Sequence, residues 1–348
     1  IKRAAEWGHK AVAITDHGVV QAFPLAVKAK ADIKILFGCE GYLLPDEGLI
    51  TENGTEDGLI DYKARPTNHI IILVKNQTGM KNLYKLVSFS HLKYFYKRPR
   101  MPRSVLSRYR EGLILGSACE AGELFRAVRN GASDEELEGI ASFYDYLEIQ
   151  PLINNRFMLR QKMVEDEEDL RNFNRRIVAL GERMGKPVCA TCDAHYFDAE
   201  DAIYRKILMA GQGYKDAESG EGLYFRTTDE MLEEFSYLGE ETARKVVIDN
   251  TNLIADMIGD VKPLSDEKCP PVIPDSEEYL TRVCEERVKN MYGEPLPAPI
   301  RERLDKELNS IIGNQYAVLY RSAEMLVQKS LSEGYLVGSR GSVDSSFA

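Results

Sequence analysis

Asp193 and His195 stand two residues apart in the stretch KPVCATCDAHY (186–196), directly after the short apolar run Pro187 to Ala190. On an extended segment alternate side chains share a face. The pair would then offer a carboxylate and an imidazole from one side of a strand end, a donor set that suits a divalent metal. The same pair also fits an Asp-capped turn followed by a surface histidine. Comparable placements recur upstream. His17 follows the run AVAIT (11–15), Glu40 follows the run from Ile33 to Phe37, His69 adjoins Ile70 to Val74, and Cys119 follows GLILG (112–116).

Each of these has a plainer reading beside it. His69 precedes its apolar run, where a histidine that caps a strand start would also stand. A lone cysteine after a strand is commonly a small buried hydrophobe, although as a thiolate it is a metal ligand. Cys189 and Cys192 form one C-x-x-C with no second pair, so they make a thin case for a zinc ribbon and read as incidental.

Strand, helix and strand in succession are needed to position such residues. Ala11 to Thr15 reads as a buried strand, Val19 to Lys30 as a helix despite Pro24, and Ile33 to Phe37 as a second strand. That order is the parallel β/α pattern, in which chemistry gathers at the carboxyl ends of strands. The acidic, Gly-rich segment 45–58 reads as a solvated loop. Met80 to Leu92 has helical periodicity, Gln161 to Met184 reads as a long charged helix, and Tyr144 to Gln150 alternates as a strand does. Four of the fourteen prolines fall between Pro263 and Pro274 and mark a boundary. Beyond it the pattern is helical. Asp275 with Glu278 spells a capping box, and Leu280, Val283, Val288 and Met291 share an apolar face. The chain then runs from a strand at Tyr335 to Val337 into a Gly/Ser turn with Arg340, whose backbone N–H groups could cradle phosphate.

The 348 residues are 44% hydrophobic and 29% charged, an ordinary globular balance with room for two domains. A net charge of −10 argues against a simple cationic nucleic-acid binder. Against that background, Lys93 to Arg103 is unusual, with five cations and three aromatics in eleven residues. Such a segment can neutralise phosphates and stack on bases; equally, its rings can pack down while its cations face water. Six scattered cysteines do not form a disulfide framework and point to a reducing, cytoplasmic setting. No apolar run approaches the ~20 residues of a membrane span. A first residue other than Met and an abrupt end at Ala348 read as a fragment of a longer protein.

Taken together, AITDHG, FGCEGYL, HIIILVKNQTGMKNLYKLVSFSHL, GSACEAGEL, YLEIQP, the D-A-H of ATCDAHY and GYLVGSRGS resemble the PolC-type alpha subunits of bacterial DNA polymerase III, in order and over essentially the whole chain. The resemblance implies an α/β fold. Residues 1–262 would be a polymerase-and-histidinol-phosphatase (PHP) domain, a distorted β/α barrel, and 263–348 a mainly helical segment that opens a polymerase palm. It implies metal ligation by His17, Glu40 (after the second strand), His69, Cys119, Asp193 and His195. Arg340, Gly341 and Ser342 would contact nucleotide phosphate. The family's first H-x-H is absent; in the PolC type an exonuclease is inserted after it, so Ile1 would begin beyond that insert. The palm aspartates would lie downstream, so this chain alone would not polymerise. Two departures stand out: Cys192 where the family has Gly, and Asp344 where it has Gly in the Gly/Ser run.

The implied function is DNA-directed DNA synthesis in replication, with magnesium for polymerisation and Zn or Mn in the PHP site. DNA, nucleoside triphosphates and replisome subunits such as the sliding clamp would be the partners, the last through absent regions, and no membrane. Three imidazoles, two carboxylates and one thiol could hold ions that activate water for phosphoester hydrolysis. From another class, the same ions could merely rigidify a scaffold. A stand-alone histidinol-phosphatase-like enzyme is a third reading, disfavoured by the helical C-terminal third.

Overall fold

The computed structural model describes residues 1–46, 63, 65–214, 220–265, 267, 271–338 and 346–348. Most of the 45–58 loop therefore lies outside the described residues, as do Arg340, Gly341, Ser342 and Asp344. The chain divides into two compact units, 1–264 and 265–348.

The first unit is mixed α/β. Its strands are β1 (Ala11–Ile14), β2 (Lys34–Leu44), β3 (Asn68–Val74), β4 (Phe95–Tyr96), β5 (Arg98–Pro102), β6 (Leu113–Gly116), β7 (Leu147–Ile149) and β8 (Val188–Ala190). β1 pairs parallel with the first part of β2, and β5 pairs parallel with its last part. On its other edge β2 runs antiparallel to β3, which runs antiparallel to β6. β4 and β5 form a hairpin, and β7 pairs parallel with β8. A bridge between Gly116 and Tyr146 joins the two sheets. Room for that seam comes from Gly116, where a Cβ would stand 2.2 Å from the Tyr146 ring. Among the described residues no sheet closes on itself.

Two expectations change here. The sheet is mixed rather than wholly parallel, and β2 is eleven residues long, so Glu40 lies within it and not after it. Glycines at 38 and 41 carry the strand past tight neighbours; a Cβ at Gly38 would meet the Ile72 carbonyl oxygen at 2.6 Å. The antiparallel course of β3 also explains why His69 precedes its apolar run. The start of an antiparallel strand lies beside the late part of its neighbour, and His69 pairs with Tyr42.

Strand alternation divides the core. Ile70, Ile72 and Val74 of β3, with Leu113 and Leu115 of β6, join the large cluster that also takes Leu83 and Leu86 from the helix Gln77–Leu92, and Leu170 and Ile177 from the helix Glu167–Met184. Those helices are fixed by Asn76 and Asp166, whose side chains accept from first-turn N–H groups. The opposite face carries a smaller cluster of Leu36, Ile71, Leu73, Ile114, Tyr146 and Cys189, sealed by Ile254, Ala255 and Ile258. Lys34 Nζ donates to the carbonyls of Ala255 (2.6 Å) and Ile258 at that sealed end.

The expected helix over 19–30 is shorter, Phe23–Lys28 with Pro24 in its first turn, where a missing N–H costs nothing. Among the described residues the second unit holds three helices, Ser276–Tyr292, Ala298–Gly313 and Ala317–Ser332. Cys284 and Val288 pack there on Leu304 and Leu308. Asp275 is left-handed (φ 56°) and its side chain makes no cap bond, which overturns the capping box. Met291 is exposed and off the expected apolar face. Tyr335 to Val337 form no strand. No described helix is long and apolar enough to cross a membrane.

Candidate metal centre

The unsealed end of the inner face is polar because the same strand rows continue into titratable residues. On β2 the row Leu36, Gly38 is prolonged by Glu40 and Tyr42; on β3 the row Leu73, Ile71 is prolonged by His69. The turn after β1 is stitched onto β2. Glu40 N donates to the Asp16 carbonyl (3.0 Å) and Gly18 N to the Glu40 carbonyl (2.8 Å), which brings His17 beside Glu40. The β6 exit is held likewise. His69 N donates to the Ala121 carbonyl (3.0 Å), and Gly122, where a Cβ would stand 2.2 Å from the Ser117 carbonyl oxygen, allows the tight turn that presents Cys119.

The result is a close cluster. His69 Nδ1 lies 2.6 Å from Glu40 Oε1, and His17 Nδ1 lies 3.6 Å from Glu40 Oε2. Nitrogen and oxygen donors of His17, Glu40 and His69 all fall within 4.8 Å of one another. Cys119 Sγ lies 3.3 Å from His69 Nδ1 and 3.6 Å from Glu40 Oε1. The His195 ring centroid is 6.0 Å from that of His17. Asp193 joins through its charge, which acts on Glu120, Cys119 and His17.

The D-x-H pair does not lie on a strand. β8 ends at Ala190, and Asp193 is left-handed (φ 53°), a conformation that Asp tolerates better than most residues. In this turn His195 Nδ1 sits 2.8 Å from the Asp193 carbonyl oxygen and 3.7 Å from Oδ1. His195 N donates to the Leu223 carbonyl (2.8 Å), fixing the turn to the chain that follows.

Electrostatics separates the carboxyls. Burial would raise Glu40, but its bond to His69 and the charge of both imidazoles prevail and hold it below the usual carboxylate range. Asp193 is pushed up, by burial first and by Glu40 second, with the three histidines opposing. Burial lowers His17, and Glu40 partly restores it. Cys119 is pushed well up by burial and by the neighbouring acids. A cation would reverse the penalties on Asp193 and on the Cys119 thiolate.

Sequence reasoning passed over three neighbours. Glu120, directly after Cys119, has its carboxyl raised by burial and by Asp193. Glu148 on β7 is raised to about 8 by burial, though Thr191 Oγ1 (2.7 Å) and Gln150 Nε2 (3.1 Å) donate to it. Tyr42 stacks on His17 with centroids 5.9 Å apart. Alternation on β2 could have signalled Tyr42; nothing local marks Glu148. Cys192, beside Asp193, has its thiol raised by burial, with the Arg226 backbone N–H opposing and the Asp193 charge adding to the rise.

Residues 1–152 match the family described as PHP domain, and 278–348 match Bacterial DNA polymerase III alpha NTPase domain. The chain is 61% identical over 288 residues to DNA polymerase III PolC-type of Clostridium perfringens strain 13, which takes in 83% of this chain and 20% of that protein. It is 54% identical over 287 residues to the protein of that name from Caldanaerobacter subterraneus subsp. tengcongensis, and 49% over 287 residues to that of Bacillus subtilis strain 168, each with 82% of this chain and 20% of the relative covered. The chain thus spans about a fifth of the length of the curated relatives it matches.

Proposed function

We propose that this chain, which belongs with the PolC-type DNA polymerase III proteins, is the metal-bearing and palm-entry part of a replicative DNA polymerase. Residues 1–262 are read as the PHP domain, its two joined sheets as the distorted barrel, and 263–348 as the start of the palm. Two family matches on separate parts of the chain and a division into compact units after Leu264 support this. The whole protein would make DNA from nucleoside triphosphates with magnesium, in the cytoplasm, and meet the sliding clamp and other replisome subunits through regions outside this chain.

In the PHP part we infer a centre for Zn or Mn. The donors fit such an ion: two imidazoles and a buried carboxylate converge, the Cys119 thiol lies beside Glu40 and His69, and burial with the neighbouring acids disfavours the charged thiolate there unless a cation is bound. His17, Glu40 and His69 would hold the ion, with Cys119, Asp193 and His195 completing the set. A bound ion supplies a lowered water pKa and charge stabilisation for phosphoester hydrolysis. The chain's own residues do the rest. Glu40 orients both imidazoles, Tyr42 and the inner apolar row keep water from one side, and His17 and His195 face solvent.

That exposure favours hydrolysis over a purely structural ion, because a structural site is closed whereas a catalytic one keeps an open position. The side chains of His17 and His195 are 41% and 30% exposed, against 7% for Glu40. The test is elemental analysis of the chain purified without chelator, beside Glu40→Gln and His69→Ala, with hydrolysis of bis(p-nitrophenyl) phosphate in parallel. At least one ion per wild-type chain, lost in both variants together with hydrolysis, is expected. No metal in the wild type would overturn the centre; metal without turnover would leave the scaffold. Labelled-nucleotide incorporation by the 348 residues is expected to be nil.

A further inference from the structure

We propose that Arg98, on the β4–β5 hairpin, is the phosphate-binding arm of this centre, taking a phosphoryl group presented to the His17, Glu40 and His69 cluster; this rests on the phosphoesterase reading above. The two arginines of β5 have opposite fates. Arg100 is buried, and its guanidinium donates to the carbonyls of Tyr96 (3.3 Å) and Arg65 (2.6 Å). Arg98 is exposed, and among the described residues no carboxylate pairs with it. Its guanidinium carbon instead lies 4.9 Å from the centroid of Tyr42, the ring that stacks on His17 and stands 5.3 Å, edge-on, from His69. A cation is thus held one ring away from the cluster with its N–H edge unspent. Planar N–H forks of this kind pair bidentately with phosphate oxygens.

The hairpin is built onto the site rather than merely near it. At Gly18, next to His17, a Cβ would stand 2.5 Å from Pro99 Cγ and 3.4 Å from the Tyr42 ring. Only a residue without a side chain lets Pro99 lie there, and φ of +67° at Gly18 suits glycine as well. His91 Nε2 donates to the Gly18 carbonyl (3.0 Å), so the end of the helix Gln77–Leu92 holds the same turn. Phe95, paired with Pro99 across the hairpin, stacks on His91 at 6.0 Å and so ties the hairpin to the same helix end.

Phosphate is shared by a strand end, a polynucleotide backbone and the free anion, and binding experiments separate these. The 348-residue chain, as purified and after chelation, is titrated by fluorescence anisotropy with a labelled oligothymidylate bearing a 3′ phosphate, with the 3′-hydroxyl oligomer, and with inorganic phosphate as competitor. Arg98→Ala is expected to weaken binding about tenfold and Arg98→Lys by less, since Lys keeps the charge and loses the fork. Circular dichroism and metal content are expected to stay at wild-type values. A loss confined to the 3′-phosphate oligomer and to the free anion assigns a terminal phosphate; an equal loss with the 3′-hydroxyl oligomer assigns the backbone; both support Arg98. Equal affinity of Arg98→Ala and wild type, or no phosphate binding by the wild type, overturns the inference. Metal content fails separately, because it reports on the cluster and not on Arg98.

Discussion

The two ends of the inner sheet face are built from the same strands and have opposite characters. At one end Leu36, Leu73 and Ile114 meet Ile254 and Ile258, and Lys34 ties off the carbonyls of the closing segment. At the other end the next residues of the same rows are Glu40, Tyr42 and His69, and the side chains of His17 and His195 stay partly exposed. Alternation that packs a core at one end thus delivers ligands at the other. The centre costs the fold little, since no strand leaves its regular course to supply Glu40 and His69. Only the turns after β1, β6 and β8 need special backbone, at Gly18, Ala118, Gly122 and Asp193.

The contrast can be broken most strongly at the sealed end. Leu73→Ala opens a cavity among Leu36, Ile71 and Ile254, and is expected to cost about 2–5 kcal/mol in urea unfolding. Metal content in the folded fraction is expected to match the wild type. Parallel loss of metal and stability would mean the two ends are not separable.

Glu148 probes how far the polar end reaches inward. Its folded pKa of about 8 lies above the ordinary 4.5, so its contribution to stability is full below pH 4.5 and declines as pH rises through 8. The rise from 4.5 to about 8 corresponds to an upper limit of about 5 kcal/mol. Glu148→Gln keeps the amide-sized group without the titration. Wild type is expected to lose stability between pH 5 and 8 relative to this variant; coincident profiles would show that Glu148 is not buried as a neutral acid. Glu40 has the opposite sign: its carboxyl is held low, so its contribution is lost as pH falls below about 4.5.

The smallest effect sharpens the comparison from outside. Asn76 caps the helix Gln77–Leu92 by accepting from Gly79 N at 3.0 Å, on the face away from the centre. Asn76→Ala is expected to cost about 1 kcal/mol, with unchanged metal content. A change in metal content would mean that the cap also sets the His91 contact to Gly18.

Much of this was legible in the chain. All six proposed ligands adjoin apolar runs, and the structure brings them to one end of one face. Residue spacing could not show how they get there. Glu40 read as lying past its strand because Gly38 and Gly41 look like a stop, whereas they are thin places in a continuing strand. His69 looked misplaced until β3 proved antiparallel. Asp193 and His195 looked extended, yet a left-handed turn presents them, and propensity does not reveal that. Arg98 and Arg100 are indistinguishable in sequence; only the tertiary positions of Tyr42 and Arg65 tell an exposed cation from a buried strut. Asp275 and Met291 misled because local periodicity says nothing about which side of a helix finds a partner.

The stitch between His17 and Glu40 bears on the order in which the centre assembles. Those two residues come from neighbouring elements of the first strand pair, so a short loop closure joins them. Asp193 and His195 come from far later in the chain, and their arrival waits for the much longer closure that seats β8 beside β7. A nascent chain would therefore carry part of the centre early and the rest only once β8 is seated, which makes full occupancy a mark of that late closure.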